Sequence, residues 1–116
     1  MALSTAARNA AANAVVDLID VGTGTAIVEF GNSDFSAIFL TFNFPATAFG
    51  DASGGIAPAV STPYSATGVA SGSATHYRVK DKDGTVIDDR ALAAAISVTL
   101  NQNYTMNSAT YTQPAA

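Results

Sequence analysis

The sequence predicts a mainly β fold, a small β-sandwich or open barrel with one N-terminal α-helix. Three observations carry that prediction. Apolar residues repeat at helical spacing only within the first twenty positions, and from Thr25 onward the period changes to two. Gly, Pro, Asn and Asp then recur between short apolar runs, as turn residues do between strands. At 116 residues the chain holds one core. The expected division is an N-terminal helical arm, 1–22, and a single β-domain, 23–116.

The helix starts after Ser4, whose hydroxyl suits an N-cap, and runs through an alanine-rich stretch of high helix propensity. The i, i+3, i+4 spacing predicts an apolar face of Ala7, Ala11, Ala14, Val15, Leu18 and Ile19, with Arg8, Asn9, Asn13, Asp17 and Asp20 largely elsewhere. Gly22 is placed to end it. Thr25 to Phe30 reads as the first strand, and Gly31-Asn32-Ser33-Asp34 as a turn. Phe35 to Phe44 then alternates, with Ile38, Leu40, Phe42 and Phe44 on one face and Phe35, Ala37, Phe39, Thr41 and Asn43 on the other.

Pro45 stops that strand, and Ala46 to Ser65 reads as a long loop punctuated by Gly50, Gly54, Gly55, Pro58 and Pro63, with a short strand from Ile56 to Ser61 inside it. A loop of this length in a small domain is expected to contact something. The remainder reads as a meander of Thr67 to Ser73, Thr75 to Lys80, Thr85 to Asp88, Ile96 to Leu100 and Tyr104 to Tyr111. Its clearest join is Asp81-Lys82-Asp83-Gly84, where Asp-Gly supplies the positive φ of a tight hairpin. Ala91 to Ala95 is ambiguous: alanine favours helix, and the alternation of Ile96, Val98 and Leu100 favours strand.

Composition excludes several classes. With no cysteine there is no disulfide scaffold, thiolate metal site or thiol nucleophile. Five basic against nine acidic side chains, a net charge of -4, argue against a nucleic-acid partner. Ala37 to Phe44, the most apolar later stretch, is broken by Thr41 and Asn43 and falls short of the roughly 20 residues of a membrane span. The N-terminus lacks the continuous apolar run of a signal peptide, so no membrane partner is expected. Only 12% of residues are charged, against about 25% in ordinary soluble domains. Ala, Ser, Thr and Gly fill 56 of the 116 positions. Burying so neutral a surface desolvates little charge and freezes few long side chains, which suits a subunit of an assembly.

The candidates for chemistry are few. Asp81, Asp83, Asp88 and Asp89 form the one concentration of carboxylates, but the spacing lacks the grammar of a calcium loop and Asp83-Gly84 is explained by a hairpin. His76, the sole histidine, lies in a strand-like pattern with no nucleophile elbow. Gly22-Thr23-Gly24 follows a helix and precedes a strand, the reverse of a dinucleotide site, and Glu29 is the sole glutamate. Phe30, Phe35, Phe39, Phe42, Phe44 and Phe49 have no basic residues interleaved and read as core. No catalytic, cofactor-binding or metal-binding residue is assigned, and no enzyme activity or cofactor is expected.

Three segments carry a resemblance: Leu3-Ser4-Thr5-Ala6-Ala7-Arg8-Asn9-Ala10-Ala11 leading to Asp17-Leu18-Ile19-Asp20-Val21-Gly22, then Phe42-Asn43-Phe44-Pro45-Ala46-Thr47-Ala48-Phe49-Gly50-Asp51-Ala52-Ser53-Gly54-Gly55-Ile56-Ala57, then Ala74 to Asp88 around Thr75-His76-Tyr77-Arg78-Val79. In this order the chain resembles a family of small Ala- and Gly-rich virion structural proteins of tailed bacteriophages. The resemblance implies a non-enzymatic particle component, made in the host cytoplasm and located on the virion. Its implied role is capsid decoration or cement. Its implied partners are the major capsid protein and copies of itself as a homo-oligomer. A tail or baseplate component is the alternative within that class. A carbohydrate- or receptor-binding module is the alternative outside it, with Tyr64, Tyr77, Tyr104 and Tyr111 as stacking candidates.

Overall fold

A computed structural model describes residues 3–113. Helix α1 spans Thr5–Ile19 and is followed by eight strands: β1 (Ile27–Gly31), β2 (Ile38–Asn43), β3 (Ile56–Pro58), β4 (Tyr64–Thr67), β5 (Gly72–Lys80), β6 (Val86–Val98), β7 (Asn103–Met106) and β8 (Thr110–Thr112). The architecture is mainly β with one N-terminal helix, and its antiparallel sheets are open rather than closed into a barrel. A four-stranded sheet runs in the order β2-β1-β5-β6, and two small ribbons, β3-β8 and β4-β7, accompany it.

Register assigns each residue of the large sheet to a face, because directly paired residues point the same way. Val28 pairs with Phe42 and Val79, and Val79 with Asp88; Phe30 pairs with Leu40 and Tyr77, and Tyr77 with Arg90. These two rows form the inner face. Glu29, Thr41, Arg78 and Asp89 share a row on the outer face. The expected alternation of β2 holds on the inner side, where Leu40, Phe42 and the following Phe44 are buried. Phe30 meets Phe42 edge-on at 5.9 Å, and Phe44 meets Phe49 and Tyr64 at 5.4 and 5.6 Å. Aromatic contacts of this geometry add to the area they bury.

Several element boundaries differ from the sequence expectation. Phe35 does not open β2. It sits in the preceding turn at φ 56, where the Asn32 side chain accepts from Ala37 N at 3.1 Å and donates to Ser36 Oγ at 2.9 Å. Thr67 to Ser73 is not one strand: β4 ends at Thr67 and β5 begins at Gly72, because Gly68 turns the chain through backbone bonds with Asn101 and Gln102. Tyr104 to Tyr111 is two strands, divided at Asn107-Ser108-Ala109 and paired with β4 and β3 respectively.

The expected strands Thr85 to Asp88 and Ile96 to Leu100 lie in one element, β6, into which Ala91 to Ala95 is absorbed. Pairing with β5 on either side of the alanine run, at Ala91 and at Ile96, overrides its helix propensity. The pairing skips, however. Between Ala74↔Ile96 and His76↔Ala91, β5 has only Thr75 while β6 has Leu92 to Ala95. Those four residues arch away from the ladder as a large bulge.

The helix is turned relative to expectation. Ala12, Val16 and Ile19 are its buried residues, whereas Ala7, Ala14 and Leu18 of the predicted apolar face are exposed. The cause is the segment that reads as a long loop. Residues 48–60 form an internal ribbon closed by the bridges Phe49↔Ala59 and Ser53↔Ile56, with Gly50 N and Val60 N donating to Pro58 and Ala48 carbonyls. Some of its amide N–H groups lack partners within the ribbon, and the polar side of α1 supplies them. Asp20 Oδ1 accepts from Ala48 N at 2.9 Å, Asn13 Oδ1 from Ala52 N at 2.8 Å and Asn9 Oδ1 from Gly55 N at 2.7 Å. Arg8 donates through Nε and Nη2 to the Gln113 carbonyl at 3.2 and 3.1 Å. The N-cap is as expected, Ser4 Oγ accepting from Ala7 N at 3.2 Å.

Candidate functional site

The four aspartates singled out in the sequence do not converge. Asp81 is 8% exposed and closes its own turn, its Oδ1 accepting from Asp83 N at 3.0 Å and Thr85 N at 2.9 Å. Asp83 lies at the tip, where Oδ1 accepts from Thr23 N at 3.4 Å, and Gly84 has the positive φ, 89°, that the hairpin requires. Asp88 and Asp89 are consecutive in β6 and therefore point to opposite faces, Asp88 inward and Asp89 outward. Among the described residues no group of three or more His, Asp or Glu could hold a metal ion.

The other polar candidates have local structural partners. His76 Nδ1 lies 2.9 Å from Thr75 Oγ1, at the edge of the β6 bulge. Glu29 is held on the outer face between Arg78 Nε at 2.8 Å and Lys80 Nζ at 3.0 Å. Burial pushes its carboxyl up, and the two cations outweigh that effect, leaving it below the usual range. Arg78 also lies over the Phe35 ring at 4.5 Å. Gly22, at φ 113, serves the turn after the helix. The turn residue Gly24 has the Lys82 carbonyl pressed against it.

The four tyrosines do not form an open stacking face. Tyr64 is buried, with its hydroxyl donating to the Val60 carbonyl, and Tyr77, Tyr104 and Tyr111 are partly buried against the core. Tyr104 Oη accepts from Thr99 N at 2.7 Å, and Tyr111 Oη donates to Gln113 Oε1 at 3.0 Å.

Two features remain that sequence reasoning missed. The first is the outer side of α1. With its asparagines turned inward, the helix presents Ala7, Ala10, Ala14 and Leu18 outward, continued by Val21, and Leu18 and Val21 are 51% and 52% exposed. Spacings of three and four make these residues one stripe. The signal was present in the sequence as two stripes, one of Asn and one of Ala; what decides between them is the ribbon's need for acceptors. A second apolar pair, Val69 and Leu100, is exposed where the β4-β5 and β6-β7 turns meet through Asn101 N and the Gly68 carbonyl, 2.9 Å apart.

The second feature is a cavity of about 240 Å³ between the helix, the inner face of the large sheet and the small ribbons. Its lining is apolar, including Ile19, Val28, Phe30 and Phe44, with Tyr77 and Tyr111 among the aromatic residues. Asp88 is the charged residue in it, contributed by β6 and ion-paired through Oδ2 to Arg90 Nε at 3.0 Å. Burial raises the Asp88 carboxyl above its usual range, Arg90 opposing the shift and Asp89 adding to it. Arg90 itself lies over the Tyr111 ring at 5.3 Å and donates to the Thr112 carbonyl at 3.4 Å.

Among the described residues no helix is long and apolar enough to cross a membrane. Compared with protein-family models, curated proteins and solved structures, the chain matches none, so its own geometry carries the functional reading.

Proposed function

We propose that this chain is a non-enzymatic structural subunit of a tailed-phage virion, one that decorates or cements the capsid shell through repeated neutral contacts with the major capsid protein and with its own copies. The observation that carries this reading is the exposed apolar stripe on the outer side of α1. α1 buries Ala12, Val16 and Ile19 and turns Asn9 and Asn13 toward the ribbon, and its outer side, which carries Asp17, also leaves Ala7, Ala10, Ala14, Leu18 and the following Val21 exposed. A stripe of short apolar side chains lets a neighbouring surface approach closely at small cost in charge desolvation and side-chain entropy. Each such contact is weak, and repeated copies on one particle add them through multivalency.

Immunogold labelling of intact virions with an antibody against this chain tests the proposal. Label spread over the head is the expected result. Label confined to the tail moves the subunit to a tail or baseplate role, and absence from the particle overturns the structural reading altogether.

A further inference from the structure

We infer that the cavity between α1 and the sheet is a binding site for a small apolar molecule, one ring with a short alkyl chain, carrying a primary ammonium that docks on Asp88. The inference does not depend on where the subunit sits in a particle. Size sets the first limit: an apolar cavity of about 150 Å³ takes a single benzene ring, so about 240 Å³ has room for a ring and a few further carbons. The lining sets the second, since Ile19, Val28, Phe30 and Phe44 offer an occupant carbon surface and give water few hydrogen-bond partners. Displacing poorly held water from such a surface favours an apolar occupant.

Asp88 sets the third. Its row on the inner face consists otherwise of Val28, Phe42 and Val79, none of which can use a carboxylate. Arg90 engages only Oδ2 and is itself drawn toward Tyr111 and the Thr112 carbonyl. Asp89 lies on the opposite face with Arg78 as its cross-strand partner, so an incoming cation would meet the other oxygen of Asp88, Oδ1. Segments free of ladder pairing flank the cavity on two sides, Leu92 in the β6 arch and Ala109 between β7 and β8, so its walls can yield without breaking a sheet.

The test is calorimetric titration of the full chain with 2-phenylethylammonium and, separately, with uncharged propylbenzene. Saturable binding of the ammonium is expected, weakened roughly tenfold or more in Asp88→Asn through loss of a charge-assisted hydrogen bond. Methyl NMR of Ile19, Val28, Leu92 and Met106 during the titration locates the site without any variant, and shifts confined to those residues are expected. Absence of saturation at millimolar ammonium, shifts centred elsewhere, or equal affinity of Asp88→Asn and the native chain would each overturn the inference. Tighter binding of propylbenzene than of the ammonium would overturn it too.

Discussion

Asn13 accepts one hydrogen bond from a backbone N–H 39 residues away, and Asn9 accepts another from 46 residues away. Removing such an acceptor leaves a part-buried donor unsatisfied, which costs about 1–3 kcal/mol. Asn13→Ala is therefore expected to lower unfolding free energy by about 1–2 kcal/mol in a urea melt, while Asn13→Asp, which keeps the acceptor, loses less. Gly55 belongs to the same contact. At φ 79, with the Arg8 guanidinium 2.7 Å from where a Cβ would stand, a side chain there is strained and would displace Arg8. Glu29 and Asp88 act on the acid side of stability with opposite signs. Glu29 titrates below its ordinary 4.5 in the folded chain, so its contribution is whole above that value and is lost as the pH falls through the lower folded pKa. Asp88 titrates above its ordinary 3.8, so the folded chain gains its proton first; that contribution is complete below 3.8 and is lost as pH rises through the raised folded pKa. Thermal melts at neutral and acid pH should separate them. Glu29→Gln is expected to cost about 1 kcal/mol at neutral pH and to flatten the acid loss, whereas Asp88→Asn should raise the midpoint at neutral pH and remove the acid gain.

Elements in this molecule depend on partners distant in sequence. The 48–60 ribbon depends on α1 for its Ala48, Ala52 and Gly55 donors, and α1 depends on the ribbon and on β3, β6 and β8 to cover Ala12, Val16 and Ile19. A chain lacking residues 1–20 would leave those three N–H groups without their acceptors and uncover the adjoining core. It is expected to lose the cooperative thermal transition that the full chain gives, a result readable by near-ultraviolet circular dichroism. This dependence also explains which elements were legible in the sequence. The Ser4 cap, the alternation through Leu40, Phe42 and Phe44, and the Asp81 to Gly84 hairpin are local, fixed by residues within a few positions of one another. The helix face was legible in part: Ile19 is buried and Ala11 and Val15 half-buried as expected, but Ala7, Ala14 and Leu18 are exposed, because the exact orientation depends on a segment some 40 residues on. Not legible were β6, where an alanine run joins segments paired with β5 at Ala91 and Ile96, and the break between β7 and β8, where weak turn residues divide strands that serve different ribbons. The cavity lies between elements and has no sequence pattern at all.

At the scale of the whole molecule, 43 × 30 × 24 Å, α1 buries Ala12, Val16 and Ile19, bonds the ribbon through Asn9 and Asn13, and leaves Ala7, Ala10, Ala14 and Leu18 exposed on its outer side. Leu18→Lys is accordingly expected to leave solution stability within about 0.5 kcal/mol of the native chain, as exposed substitutions do. Under the proposed role, the same change should abolish association with particles, measured by co-sedimentation of the purified chain with shells lacking it. The edge strand β6 adds a safeguard: Asp88 and Arg90, turned inward, make strand-by-strand growth along that edge unfavourable. The arch from Leu92 to Ala95 has a separate consequence. Because β6 already spends three more residues than β5 over that span, and pairing resumes at Ile96 on one side and Ala91 on the other, the arch can be lengthened without moving either register. Ala93, Ala94 and Ala95 are exposed. A foreign peptide spliced between Ala94 and Ala95 would be carried outward from the sheet, making this alanine bend the natural place on the chain to display an epitope.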